Sequence, residues 1–205
     1  MFNFVKKLMF ARQFKMEKGE IEMLGQRMLI IPSYTFAYMI KNSTDPIESG
    51  KNMYHACKHV NMDDVGFTYE ISEKFGIKGV DLIKWMADIA TMAGFGIIKI
   101  VNIDEEKKTA LVHIEDSPIT EFIGQSKYPV DHAIRGYMAG AAEVVFNGLG
   151  KKSGEWKKYD YIETKCRSLS DNICEFVLVK RDELKKSNDK KMKNLYKAQV
   201  GGWKS

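Results

Sequence analysis

Glu163-Thr-Lys-Cys166-Arg-Ser-Leu-Ser-Asp-Asn-Ile-Cys174-Glu-Phe176 holds two of the chain's three cysteines, with a carboxylate three residues before the first. The polar run Ser168-Leu-Ser-Asp-Asn172 has the composition of a turn. It separates two strand-like stretches, 156–167 and 173–180, whose apolar residues suit a sheet. A hairpin there brings Cys166 and Cys174 together. Two thiolates and a carboxylate are accepted zinc ligands. Seven residues between the cysteines is wider than the common zinc-knuckle spacing. The period-two alternation of a strand also sets residues 163 and 166 on opposite faces unless a bulge intervenes. Three readings of the stretch therefore stay open: a metal site, two buried free thiols, or a cross-strand disulfide.

Working outward, a second hairpin is expected upstream, with 97–103 and 109–115 flanking the charged tip Asp104-Glu-Glu-Lys-Lys108. Between the hairpins, Tyr128-Pro-Val leads into a helix over 131–146 that contains Gly136-Tyr-Met-Ala-Gly140. A glycine-rich loop, 147–153, follows. The clearest helix is 79–93, where Leu82, Trp85, Met86, Ile89 and Ala90 share one face. Helices are also expected over 34–41 (capped by Ser33), 47–60 (opened by Pro46) and 63–75 (ended by Gly76). Strand-like runs 20–24 and 27–31 meet at Gly25, and a last charged helix begins at Asp182. The order predicts an α+β fold: an antiparallel sheet of hairpins packed with several helices, in a single domain with an N-terminal helix.

The net charge of +5 is uneven. Residues 180–205 carry nine Lys/Arg against three Asp/Glu, and residues 1–16 carry four basic residues and no acid. Residues 2–16 read as a basic amphipathic helix, with Phe2, Val5, Leu8, Met9, Phe10 and Phe14 in its stripe. Such a helix suits a partner subunit, the chain's own core or a membrane surface. The division expected is 1–18 as this helix, 19–181 as the folded domain and 182–205 as a basic C-terminal helix or tail. The basic ends flank an acidic body, which argues against direct nucleic-acid binding. No run approaches the roughly 18 apolar residues of a membrane span. The N-terminal stretch lacks the apolar core and cleavage site of a signal peptide. With an odd number of cysteines, a cytoplasmic, reducing compartment is expected, which disfavours the disulfide.

Catalytic machinery is not evident. Gly148-Leu-Gly150-Lys-Lys152 lacks the spacing of a phosphate loop, and no dinucleotide fingerprint or nucleophile–base pair can be placed. Trp85, Tyr54, Phe95 and Tyr137, with some of the twelve methionines, suit either the lining of an apolar small-molecule pocket or plain core packing. His113, in a strand, is placed to orient a phenol-like hydroxyl. His55 and His59 lie four apart with Cys57 between them, a pattern of two readings: a weak second metal site or a solvated helix face.

Glu163-x-x-Cys166-x7-Cys174-x-Phe176, the Gly136-Tyr-Met-Ala-Gly140 helix followed by a strand, and Gly25-Gln-Arg-Met-Leu-Ile-Ile-Pro32 together resemble the 4-vinyl reductase domain family. The resemblance runs roughly from residue 20 to residue 180. The family includes archaeal stand-alone domains, a bacteriochlorophyll-biosynthesis protein and the sensor modules of aromatic-responsive transcription activators. Its fold is similar to TRAPP vesicle-tethering subunits and haem nitric-oxide sensors. The resemblance implies a mixed α/β domain, often dimeric, with an apolar ligand pocket. In the aromatic-sensor branch a structural zinc is held by one glutamate and three cysteines. By resemblance Glu163, Cys166 and Cys174 match three of those positions. The fourth, a cysteine in that branch, is Asp131 here, with His132 beside it. The loop 147–158 is also longer than in that branch. The implied protein is a ligand-binding or sensing domain rather than an enzyme, a homodimer that takes a hydrophobic small molecule. A TRAPP-like adaptor and an accessory factor in tetrapyrrole metabolism are the alternatives.

Overall fold

In the computed structural model, which describes residues 14–17, 20–23, 26–29, 31–62, 67–147 and 158–201, the described residues open with three short antiparallel strands. They are β1 (Phe14–Glu17), β2 (Glu20–Met23) and β3 (Gln26–Met28), paired in that order. Residues 14–16 were expected at the end of a helix and are strand instead. Their period-two alternation, with Lys15 opposite Glu22 in a 3.2 Å ion pair, suits cross-strand pairing. The remainder of that expected helix lies outside the described residues.

Helices follow: α1 (Tyr34–Lys41), α2 (Pro46–Met62), α3 (Phe67–Phe75) and α4 (Val80–Met92). Ser33 stands at the N-cap of α1 but has helical backbone and makes no side-chain cap bond. Asp45 does the capping one helix later, accepting from the N–H groups of Ile47 and Glu48 at 3.1 and 3.0 Å. Gly76 ends α3 at φ 65°, the left-handed conformation that glycine adopts without strain.

The main sheet has four antiparallel strands in the order β4-β5-β7-β6: β4 (Ile97–Asp104), β5 (Thr109–Glu115), β6 (Tyr159–Lys165) and β7 (Cys174–Lys180). Between the hairpins come α5 (Pro118–Ile123) and α6 (His132–Asn147). Helix α5 went unread in the sequence, although Ser117 before Pro118 is a helix-start signal and its hydroxyl does accept from Thr120 N–H. The C-terminal helix is two pieces, α7 (Arg181–Lys186) and α8 (Lys190–Gln199). Asp189 caps the second, accepting from Met192 N–H at 2.9 Å.

Helix α6 is buried along nearly its whole length. It packs against α2, α4 and β6. Gly136 makes the first contact possible: a Cβ added there would lie 2.2 Å from the Tyr54 carbonyl oxygen of α2. Ala133, Ile134, Met138 and Ala142 of α6 share a core with Val112, Ile114, Tyr161 and Phe176 of the sheet. A satellite cluster joins Ile71, Leu82, Met86 and Ile89 to Ala141 and Val144. Among the described residues no helix is long and apolar enough to cross a membrane.

Candidate metal centre

The pairing of β6 with β7 slips at the end that carries the cysteines. Glu163 faces Phe176, yet Lys165 faces Glu175, so one extra residue is accommodated on β6. This is the bulge that the spacing demanded. It re-aims the chain so that Glu163 and Cys166 point to one side. A 3-10 turn, Arg167–Leu169, then reverses direction, with Ser170 at φ 73°. The turn closes on Cys166: its carbonyl accepts from the N–H groups of Leu169 and Asp171, and its N–H donates to the Asp171 carboxylate at 2.8 Å. Cys174 opens β7. The ligand atoms of Glu163, Cys166 and Cys174 all lie within 4.8 Å of one another, and all three residues are buried.

Asp131, one residue ahead of α6, completes the surroundings. It is fully buried, and its Oδ1 accepts from the Ser117 hydroxyl at 2.5 Å. Its Oδ2 and both oxygens of Glu163 have no hydrogen-bond partner outside the two thiols. A buried acceptor left unpaired costs about 1–3 kcal/mol. Burial pushes the Glu163 carboxyl well above the ordinary carboxylate range, and the neighbouring Asp131 and Cys166 push it further. Burial likewise raises Asp131, against the hydrogen bonds of Ser117 and Cys174. The Cys174 thiol draws Cys166 down to about 7, and Cys174 is pushed up in return. Without a counter-cation these four groups oppose one another's ionisation.

The donor set fits zinc. Zinc bonds of about 2.3 Å to sulfur and about 2.1 Å to oxygen imply ligand spacings of roughly 3.4–3.8 Å in a tetrahedron. A modest contraction of this cluster reaches them. Arg167 N–H already donates to Cys174 Sγ at 3.4 Å, the kind of outer bond that orients a metal thiolate. Of the two residues offered for the fourth position, Asp131 is the one whose charge acts on Glu163, Cys166 and Cys174. His132 is engaged elsewhere. Its Nδ1 accepts from Arg135 at 3.0 Å, its ring lies over Gly50 of α2, and burial with the Arg135 charge holds its pKa down at about 3.

A second buried polar system adjoins the cluster, and sequence reading did not find it. Lys58 of α2 pairs with Glu143 of α6 at 2.9 Å and with Asp160 of β6 at 2.8 Å. Asp160 also accepts from Tyr54, Tyr196 and Arg181 at 2.8, 2.8 and 3.1 Å. Arg135, fully buried, donates to the Tyr161 carbonyl and to Gln199, and lies 4.5 Å from the Tyr54 ring centroid. The only available signal was Tyr54 and Lys58 spaced four apart, a polar tail on an otherwise buried helix face.

No protein-family model matches the chain, and no curated protein does. Solved structures do match. The phenol-responsive sensory domain of the transcription activator PoxR, determined with phenol, superimposes with a TM-score of 0.69 at 16% identity, covering 96% of each chain. The chain has the fold of that sensory domain. A trafficking protein particle complex subunit 3 from Naegleria fowleri, covalently bound to palmitic acid, shares it more loosely. Its TM-score is 0.50 at 16% identity, over 72% of this chain and 92% of that one. A vinyl-4-reductase family protein from Methanocaldococcus jannaschii aligns with a TM-score of 0.37 at 20% identity, over 74% and 97%, too loose an overlap to carry a conclusion.

Within this fold the five residues offered as pocket lining are spread out. Trp85 packs on Phe75, and Tyr137 bridges the main core and the satellite cluster, its hydroxyl 3.8 Å from Met86 Sδ. Phe95 sits against Phe36 in the main core. Tyr54 belongs to the buried ionic system, its hydroxyl committed to Asp160. His113 alternates with the buried Val112 and Ile114, so it lies on the other face of the sheet, 3.2 Å from Glu175. Tyr161, which sequence reading passed over, buries an unpartnered hydroxyl in the main core. His55 donates from Nε2 to the Val200 carbonyl at 2.7 Å. Among the described residues, Glu163, Cys166 and Cys174 form the group with metal-ligand spacing, and His55, Cys57 and His59 do not join one. Cys57 lines a groove of about 600 Å³ between α1 and α2 with Phe36, Met39 and Met53.

Proposed function

We propose that the protein is a non-catalytic small-molecule-sensing domain whose C-terminal hairpin is clasped to helix α6 by a structural zinc ion. The ligands are Glu163, Cys166, Cys174 and Asp131. The observation that carries this reading is the buried Glu163 carboxylate gathered with two buried thiols, with the buried Asp131 carboxylate acting on all three. Zinc supplies the positive charge that lets all four groups ionise together, and four protein ligands leave no open position for a reacting water. The residues do the rest: Ser117 orients Asp131, Arg167 N–H steadies Cys174, and the β6 bulge aims Glu163. A thiol-rich site of this kind belongs in a reducing compartment, which supports a cytoplasmic location.

The ligand is a hydrophobic, phenol-like molecule. The overlap with a phenol-responsive domain across 96% of the chain supports this class. Phe95 and Tyr137 supply apolar walls against the main core, and Trp85 packs with Tyr137 on the satellite cluster. Tyr161, with its unpartnered hydroxyl, supplies the polar contact that an otherwise apolar pocket uses to orient its ligand. The domain works as a homodimer. A TRAPP-like adaptor role has only the looser overlap in its favour.

Metal analysis and native mass spectrometry of protein purified from cells test the reading. One zinc per chain is expected, lost in Cys166→Ser together with a fall in melting temperature. Apolar phenolic ligands should raise the melting temperature of the wild type, and Tyr161→Phe should weaken that shift. Zinc content and melting temperature unchanged by Cys166→Ser would refute the metal clasp.

A further inference from the structure

Helix α8 ends on the metal candidate itself. Gln199, its last residue, is buried. Its side-chain Oε1 accepts from Glu163 N–H at 2.8 Å, and its Nε2 donates to the Glu163 carbonyl at 2.8 Å. The amide thereby occupies both outward-facing backbone groups of one residue, as a neighbouring strand would. The same Oε1 accepts from Arg135 at 2.7 Å, and Arg135 also donates to the Gln199 carbonyl at 3.0 Å. Arg135 in turn holds the Tyr161 carbonyl, two residues before Glu163. The backbone of Glu163 is thus fixed on its outer side by the C-terminal helix and on its inner side by β7. The carboxylate it carries has no hydrogen-bond partner outside the neighbouring thiol.

We propose that Gln199 is a positioning residue for Glu163, so that the metal centre and helix α8 dock as one unit. This rests on the zinc reading of the preceding section. The bulge between Glu163 and Lys165 leaves the strand locally free to swing, because a bulge breaks the ladder at that point. Gln199 and Arg135 remove that freedom. Coupling is reciprocal: what α8 contributes to metal affinity, the bound metal returns to the docking of α8. Occupancy of the site is therefore felt at the end of the chain's last described helix.

Competition titration of zinc against a chromophoric chelator, on the full chain, tests this. Gln199→Ala should weaken zinc binding about ten-fold or more, the range for outer-shell partners of metal ligands. Tyr196→Phe removes a different anchor of the same helix, its bond to Asp160, and should leave zinc affinity within about two-fold. In the wild type, hydrogen exchange across residues 190–201 and at Glu163 should slow on adding zinc, and this measurement decides the matter if Gln199→Ala does not fold. Equal zinc affinity in wild type and Gln199→Ala, an equal loss in Tyr196→Phe, or exchange indifferent to zinc would overturn the positioning role while leaving the metal site standing. A wild type that binds no zinc would overturn both.

Discussion

At one edge of the main sheet, β6 lies beneath α2, α6 and α8, and its outward backbone groups are met one after another by buried side chains. Lys58 donates to the Tyr159 carbonyl. Glu143 accepts from the N–H groups of Lys158 and Tyr159 at 2.8 and 2.9 Å. Arg135 takes the Tyr161 carbonyl and Gln199 takes both groups of Glu163. At the other edge β4 faces outward, with Ile97 and Val101 about half exposed, a register shift between Ile100 and Asn102, and Lys99 on its surface. Both are answers to the same hazard, since an unpaired edge invites another strand. One edge is covered and the other is bent and charged. The covered edge has its backbone pinned at every second residue, and that is where the candidate metal ligand sits.

The comparison is broken most severely at Lys58. Lys58→Met leaves Glu143 and Asp160 ionisable, buried and without their shared cation, and orphans the Tyr159 carbonyl. Removing one partner of a buried charge pair costs on the order of 3–5 kcal/mol. Urea unfolding of the variant should show a loss of that size. A loss below about 1 kcal/mol would mean that the Lys58 cation contributes little to holding the covered edge.

Gly136→Ala attacks the same edge indirectly. The added methyl would meet the Tyr54 carbonyl oxygen at 2.2 Å, which is backbone and cannot swing aside. Helices α2 and α6 would have to part, drawing Lys58 and Arg135 away from β6. Overpacking of this kind costs about 1–3 kcal/mol, sometimes more. A thermal melt within one degree of the wild type would show that the close approach of the helices is not needed.

Acid should also find the covered edge. Burial pushes the Asp160 carboxyl up, but the charges of Lys58 and Arg181, with hydrogen bonds from Lys58 and Tyr54, outweigh it and hold the group at about 2. The unfolded chain therefore takes up this proton first. The stability Asp160 contributes is complete above about pH 4 and drains away as the pH falls towards 2, about 2 kcal/mol in all. Glu143 is pushed up by burial against the pull of Lys58, so it acts in the opposite sense. The difference between wild type and Asp160→Asn, measured by urea unfolding at pH 5, 3 and 2, isolates the Asp160 part. That difference should shrink as the pH falls, and a constant difference would contradict the assignment.

How much of this was legible in the sequence depended on how local the cause was. The span of α1, both hairpins and most of α6 follow from short-range periodicity and turn residues. Glu163, Cys166 and Cys174 were legible as residue types, and the need for a bulge could be stated, but its place depends on the register of β7. Asp131 was reachable only through resemblance. Lys58, Arg135, Glu143, Asp160 and Gln199 were not legible as a group. They lie on four different elements, and each looks alone like a solvated polar residue. Residues 14–16 misled because a basic apolar run fits a helical stripe as well as a short strand that borrows its partner from β2.

The smallest effect belongs to the open edge. Lys99 reaches Glu115 on β5 at 2.7 Å, but the two side chains are 55% and 40% exposed. Water and salt compete for such a pair, and its worth is typically below 1 kcal/mol. Lys99→Met should therefore change unfolding free energy by less than about 1 kcal/mol, against several for Lys58→Met. Its consequence should appear in association instead, since it strips a charge from an edge that already exposes Ile97 and Val101. Light scattering across a concentration series should show more self-association in Lys99→Met than in wild type. A stability loss matching that of Lys58→Met would mean that β4 depends on its lysine as β6 does, and the two edges would no longer be distinct solutions.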